Sequence, residues 1–356
     1  MLRRKQKIFG GGDASGLPVA EPEEVAAELE VPVEEPKPAL IRVLQSPEPR
    51  NIQDQVSSCY KDLTGIFDTF RIMTDSLAKC DRLNIKPLCK LKTERSNDLV
   101  NVGLRVDIDA DVQTACRMAR YCAQVGVGSS FYLLPTALYY GQYEKDLLVR
   151  SPELAAIVQN LIVAGCEIGL HNDVMHVAST TDLDPIGALW TELFWLRSHG
   201  ANVLGTVGHN SISVYGADNS EVFKNRVFWN REVCDAEGQQ LPVGLVDEKS
   251  FGLFYEGTYA KVVEEVDRAA ATEFATHSAG ASIRNEDWMR TYLTNNPCHD
   301  WDVDLQVWAI GQDRWVIGGG NTFVWDVSLA EMLDVVMSAE LGAEVLVVLH
   351  PEYFRG

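Results

Sequence analysis

Val100–Asp109 reads VNVGLRVDID. Its apolar Val100, Val102, Leu104, Val106 and Ile108 alternate with Asn101, Gly103, Arg105, Asp107 and Asp109, the period of a β-strand. Alternation puts both aspartates on one face, roughly 6–7 Å apart along the chain. Two carboxylates at that spacing suit a division of labour in which one binds a cation and the other takes a proton from the water that cation activates. The same residues also fit a solvated strand end, with Asp109-Ala110-Asp111 capping a following helix. The strand by itself leaves both readings open.

Three other short apolar runs end in histidine: Glu167–His171 (EIGLH), Val203–His209 (VLGTVGH) and Glu344–His350 (EVLVVLH). A helix signal precedes each. Ser151-Pro152-Glu153 opens LAAIVQNLIVA and Gly165 stops it; Asp184-Pro185 opens a helix that Gly200 ends; Ser328 and Glu331 form a capping box, and Gly342 closes that helix. Strands alternating with helices from about Asn97 onward predict an α/β fold with a parallel sheet or barrel. In such folds, side chains at the C-terminal ends of successive strands converge on one mouth, where chemistry is done.

Imidazole is a frequent zinc ligand, although a single histidine at a strand end is more often structural. His171 is followed by Asn172-Asp173 and, five residues on, by His176. That interval does not stack two histidines on a helix face as four would, so His209 in GTVGHNS is the better further ligand. His350 ends VLVVL, and Pro351 keeps that strand from continuing in a central ladder. A buried histidine there, beside a carboxylate, could hold a proton for a leaving group.

The 356 residues are 46% hydrophobic and 23% charged, ordinary for a globular protein. A formal charge of -20 excludes a phosphate-tracking nucleic-acid binder, which needs clustered Lys and Arg; the only basic cluster is Arg3–Lys7. The N-terminus lacks the apolar stretch of a signal peptide and no run is long enough to span a bilayer, so a cytoplasmic location is expected. Eight cysteines without a CxxC pair read as reduced core thiols. Residues 1–50, rich in Gly, Pro and Glu, read as a disordered acidic leader. Helical spacing of Val56, Tyr60, Leu63, Phe67 and Phe70 predicts a helical N-terminal extension over 51–95, leaving 96–356 as the main domain. Between Ser211 and Trp301 only LPVGLVDEKSFGLFYEG suggests further strands, with Asp247 a marginal candidate for the cleft.

RVDID, SSFYLL and SPELAAIVQNLIVAGCEIGLH together resemble the polysaccharide deacetylase superfamily, and GTVGHNS and VVLHPEYF resemble motifs of its branch linked to bacterial surface-polysaccharide synthesis. The resemblance covers about 97–210 and 315–356. It implies a distorted (β/α) barrel of the polysaccharide deacetylase type, holding a divalent metal through one aspartate and two histidines. On matching positions, Asp107 would be the general base, Asp109 and His171 metal ligands and His350 the general acid; His209 is taken as the third ligand. The chain departs from the family pattern in its D-x-D spacing, in lacking histidines four apart after EIGL, and in lacking an RxPY-like arginine motif.

The expected function is therefore a metal-dependent hydrolase that removes an N-acyl group, such as acetyl, from a sugar substrate. Imidazole and carboxylate donors favour zinc as the cofactor. The alternatives are a catalytically degenerate barrel that binds saccharide or a partner protein, and a different barrel metallohydrolase, since fold does not fix function.

Overall fold

In a computed structural model the described residues are 67–91, 93–144, 147–209, 219–224, 244–258, 303–319 and 322–356. The leader 1–50, the start of the expected helical extension, and Trp301, His277 and His299 lie outside them.

The strand Val100–Ile108, β2, is buried along its whole length, as a central strand covered on both faces must be. Its neighbours are parallel. Glu344–Leu349 (β12) pairs along one edge from Asn101 to Val106; the other edge is shared by Leu83–Lys86 (β1) against its first half and Ser130–Leu133 (β3) against its second. Glu167–Asn172 (β6), Gly205–Gly208 (β7) and the short Tyr255–Glu256 (β8) follow in parallel. On the far side, Leu305–Gly311 (β9) runs parallel to β12, then Arg314–Gly319 (β10) and Thr322–Val327 (β11) add antiparallel strands. The result is a ten-stranded, mostly parallel sheet of order β11-β10-β9-β12-β2-β3-β6-β7-β8, with β1 on β2. A separate hairpin joins Gly141–Glu144 (β4) to Leu147–Arg150 (β5). Thus the region read as a helical extension also contributes β1, and where LPVGLVDEKSFGLFYEG suggests one or two further strands the described residues show the two-residue β8.

The outward, apolar face of the sheet is covered by helices whose buried stripes explain why they form. Phe67–Ala78 (α1) buries Phe70, Met73 and Leu77, and Val112–Val125 (α3) buries Ala115, Met118 and Cys122; the short Leu88–Leu91 (α2) lies instead on the inner side, both its leucines against Gly103. Leu154–Val163 (α4) buries Leu154, Val158 and Leu161; Val174–Thr180 (α5) is a two-turn piece; Pro185–Ser198 (α6) buries Leu189, Leu193 and Leu196; Leu329–Ser338 (α7) buries Met332, Leu333 and Val336. Asp184 caps α6 through the Gly187 amide with Pro185 in the first turn, and Ser328 and Glu331 close the expected capping box. Ser151 does not cap α4: its hydroxyl donates to Glu153, and the helix begins at Leu154. Among the described residues no helix is long and apolar enough to cross a membrane, and Cys80, Cys89, Cys116, Cys122 and Cys166 are free thiols.

The other face of the sheet is filled from within. Register places Ser130 and Tyr132 beside Arg105 and Asp107, and Glu167 and Gly169 beside those in turn. Arg105 on β2 donates through Nη1 to the carbonyl of Gly257, just past β8, at 3.1 Å. Four strand spacings in a flat sheet would separate these residues by roughly 19 Å, well beyond the reach of an arginine side chain. The sheet is therefore curled, with β2 and β8 facing each other. Leu88 fills the space between them: a Cβ on Gly103 of β2 or on Gly257 would each lie 3.2 Å from one of its methyl groups.

Two tyrosine rings complete this filling over glycines. A Cβ on Gly169 would fall 2.3 Å from the Tyr132 ring, and one on Gly205 2.0 Å from Tyr255. Neither ring is free to move, because Tyr255 donates to Glu167 at 2.5 Å and shares a 2.6 Å hydrogen bond with Tyr132, while Ser130 donates to the other Glu167 oxygen at 2.6 Å. Gly205→Ala is expected to cost about 1–3 kcal/mol by overpacking. Urea unfolding would register this as a lower midpoint at unchanged slope, and a midpoint equal to the parent's would show that the ring has room to yield.

Candidate metal centre

Asp109 stands one residue past the C-terminal end of β2, and the first question is whether it caps the next helix. It does not. Asp111 caps α3, accepting from the Thr114 amide at 3.1 Å and the Thr114 hydroxyl at 2.8 Å, and is also paired with Arg355. Asp109 is left facing the histidines: its Oδ1 lies 3.3 Å from His171 Nε2 and its Oδ2 3.7 Å from His350 Nε2. Tyr139 holds the strand end beneath it, donating to the Ile108 carbonyl and accepting from the Leu134 amide, both at 2.8 Å.

Asp109, His171 and His209 each bring a ligand atom within 4.8 Å of the others. The donor set fits a divalent cation on three grounds. Asp109 Oδ1 is buried without a hydrogen-bond partner, a costly state that an ion would relieve. The 3.3 Å between Asp109 Oδ1 and His171 Nε2 matches the edge of a tetrahedron with zinc–ligand bonds of about 2.0–2.1 Å, which is about 3.3–3.4 Å. And both imidazoles are oriented from behind. His171 donates through Nδ1 to the Val207 carbonyl at 3.1 Å, turning Nε2 to the site, and His209 Nδ1 lies 3.5 Å from Asp173 Oδ2. The two rings meet edge to face, 4.9 Å between centroids.

Asp173 is itself fixed by the Thr136 hydroxyl at 2.5 Å and Asn219 Nδ2 at 3.0 Å. Asn219, fully buried, also donates to the His209 carbonyl and accepts from the Met175 amide at 2.8 Å, tying α5 to the segment beyond β7. His176 lies on α5 and is not one of the grouped ligands. Asp247 caps a 3₁₀ turn through the Lys249 amide, and His199 stacks on Trp195 at 3.9 Å, so neither contributes here.

Asp107 shares the inward face with Arg105, two residues earlier. The guanidinium grips it as a fork, Nε to Oδ1 at 2.8 Å and Nη2 to Oδ2 at 2.6 Å, while His171 Nε2 lies 3.7 Å from Oδ2. Burial alone would raise the Asp107 pKa, but Arg105, then His171 and His350, outweigh it and lower it. The same contest, won by His171, His350 and His209, holds Asp109 well below the usual carboxylate range. For His209 burial works downward, and Asp173, Asp109 and Asp107 carry it up to about 9. Glu352, two residues past His350, goes the other way: burial raises it, His350 opposes, and Asp109 adds to the rise. The His350 Nδ1 and Glu352 Oε2 atoms are buried without hydrogen-bond partners.

All five residues expected from the sequence thus lie in one cluster: Asp107, Asp109, His171, His209 and His350. Arg105, Asp173, Asn219 and Glu352 were not expected there. Arg105 carried a signal, since period two puts it on the face of Asp107. Asp173 lay in the quoted HND triplet, whereas Asn219, 46 residues further on, had none. Compared with known protein families, curated proteins and solved structures, the chain matches none.

Two measurements probe this arrangement. Asp173→Asn is expected to weaken divalent-metal affinity on the order of 10–100-fold, as loss of an orienting partner does; unchanged affinity by competition with a chromophoric chelator would remove Asp173 from the site. Arg105→Leu strands a buried carboxylate and should destabilise by about 3–5 kcal/mol. The double variant Arg105→Leu/Asp107→Leu should recover part of that loss in the same unfolding experiment, and additive losses would show that the fork is not a coupled pair.

Proposed function

We propose that this protein is a metal-dependent hydrolase that removes an N-acyl group from a sugar, and that the curled sheet belongs to a distorted (β/α) barrel. What carries the hydrolase reading is the convergence of Asp109, His171 and His209 on one point, with Asp107 and His350 beside it. The reach of Arg105 from β2 to Gly257 supports the barrel. The sugar and its acyl group rest on the resemblance of RVDID, EIGLH and HPEYF to the deacetylase motifs.

A divalent ion held by Asp109, His171 and His209 would polarise an acyl carbonyl and make water a nucleophile near neutral pH, with zinc favoured by the donor set. Asp107 is the proton acceptor for the attacking water. Both its oxygens are held by Arg105, which fixes where the carboxylate points while leaving lone pairs for one more proton. His350 is the donor to the departing amine. Its Nε2 lies 3.7 Å from Asp109 Oδ2, and its Nδ1 is buried without a hydrogen-bond partner. The guanidinium of Arg105 places an arginine against Asp107 although the chain lacks an RxPY-like motif.

The purified chain should hold about one divalent ion, in keeping with a catalytic site of three protein ligands. His171→Ala and His209→Ala should each abolish its retention. His350→Ala should keep the ion while losing on the order of a hundredfold in turnover of an N-acetylated amino sugar oligomer, as loss of a general acid does. Elemental analysis combined with amine release decides the matter: metal lost with His350→Ala but kept with His209→Ala would interchange their roles, and full occupancy in His171→Ala would sink the site.

A further inference from the structure

α4 and α6 adjoin on the outside of the sheet. Gln159 Nε2 of α4 donates to the His199 carbonyl at the end of α6 at 2.6 Å, and a Cβ on Gly200 would lie 3.6 Å from Ile162. Their exposed residues are Ala156, Gln159, Asn160 and Val163 on α4, and Gly187, Trp190, Thr191, Phe194 and Ser198 on α6. None is charged. In a chain that is 23% charged, helices of ten and fourteen residues would ordinarily contain about five charged side chains, and their exposed positions about two or three. The only two they contain are turned inward: Glu192 binds Tyr140 and Arg150, and Arg197 donates to the carbonyls of Phe251, Val203 and Gly252.

Large apolar side chains stand out on this neutral face. Val163 is 86% exposed, Phe194 68% and Trp190 51%. Helices that bury one apolar stripe and show a second set of apolar side chains among uncharged ones are poorly matched to a water boundary. Among the described residues nothing covers it. Depletion of charge around exposed aromatic side chains is also the composition of the centre of a protein–protein contact.

Charge decides between occupants. At fourteen residues α6 is too short to enter a bilayer as a span, and a chain of charge -20 is repelled by anionic headgroups. A basic partner would be drawn to the acidic remainder of the surface. Two copies of this chain repel each other wherever charged surfaces oppose, and least where both present this neutral face. We infer that the exposed faces of α4 and α6 pack against the same faces of a second copy of the chain, in a two-fold, self-complementary contact.

Sedimentation equilibrium of the full chain from micromolar to several hundred micromolar tests this. A monomer–dimer equilibrium is expected, and it should tighten as salt is added, because salt screens repulsion between the acidic chains while the contact itself contains no ion pairs. Phe194→Lys combined with Val163→Lys should weaken association at least tenfold. Leu341→Lys, which changes an apolar residue 56% exposed beyond α7, should leave it unchanged. Amide exchange in the unmodified protein gives a reading that needs no variant: protection of α4 and α6 should rise with concentration. A monomer at every concentration, association weakened by salt, no concentration-dependent protection of these helices, or a dimer indifferent to the paired lysines at an unchanged melting temperature would each overturn the inference.

Discussion

The fork between Arg105 and Asp107 sits where a parallel sheet would ordinarily place aliphatic side chains. Both residues are buried, and each charge is tolerable only because the other is within 2.6 Å. Desolvating two ions costs several kcal/mol apiece, so the pair is weak evidence for stability and stronger evidence for a geometric requirement. The requirement is visible in the third bond of the guanidinium, to the Gly257 carbonyl across the interior. One side chain thus neutralises the carboxylate, fixes its direction and links the strand that leads to Asp109 to the chain just past β8, at the edge of the sheet. Removing it would disturb the curl of the sheet and the electrostatics of the cluster together.

The electrostatics of that cluster form a graded sequence. Asp107 and Asp109 are held low in spite of burial because cationic or polarisable nitrogen surrounds them, whereas Glu352, two residues past His350, is pushed upward by burial with less to offset it. Carboxyl groups in a single cluster therefore take opposite directions. Environments that push neighbouring acids apart in this way are typical of sites that handle protons.

Much of this was legible from residue order. Period-two alternation in VNVGLRVDID placed the strand and both aspartates, and the Asp184-Pro185 start and the Ser328/Glu331 capping box placed α6 and α7 ahead of their histidine-tipped strands. These signals are local, each contained in a few adjacent residues. What escaped was non-local or short. LNIK is four residues with no face fully buried, too brief to announce that it would join β2. The hairpin of β9 and β10 adds antiparallel strands whose pairing is a tertiary matter. Asn219 reaches His209 and Asp173 through chain folding alone. The choice between capping and ligation at Asp109-Ala110-Asp111 could not be made by pattern, because both acids satisfy it; the hydrogen bonds to Thr114 divide the two tasks.

The layer formed by Tyr132, Tyr255 and Glu167 has a consequence for traffic. With Leu88 below it, this layer stops the hollow of the curled sheet from the N-terminal side, and the rings cannot swing aside while their hydroxyls are bonded to each other and to Glu167. Among the described residues that end of the hollow is closed, so an occupant of the site by Asp109, which stands past the C-terminal end of β2, has no passage through the floor beneath it.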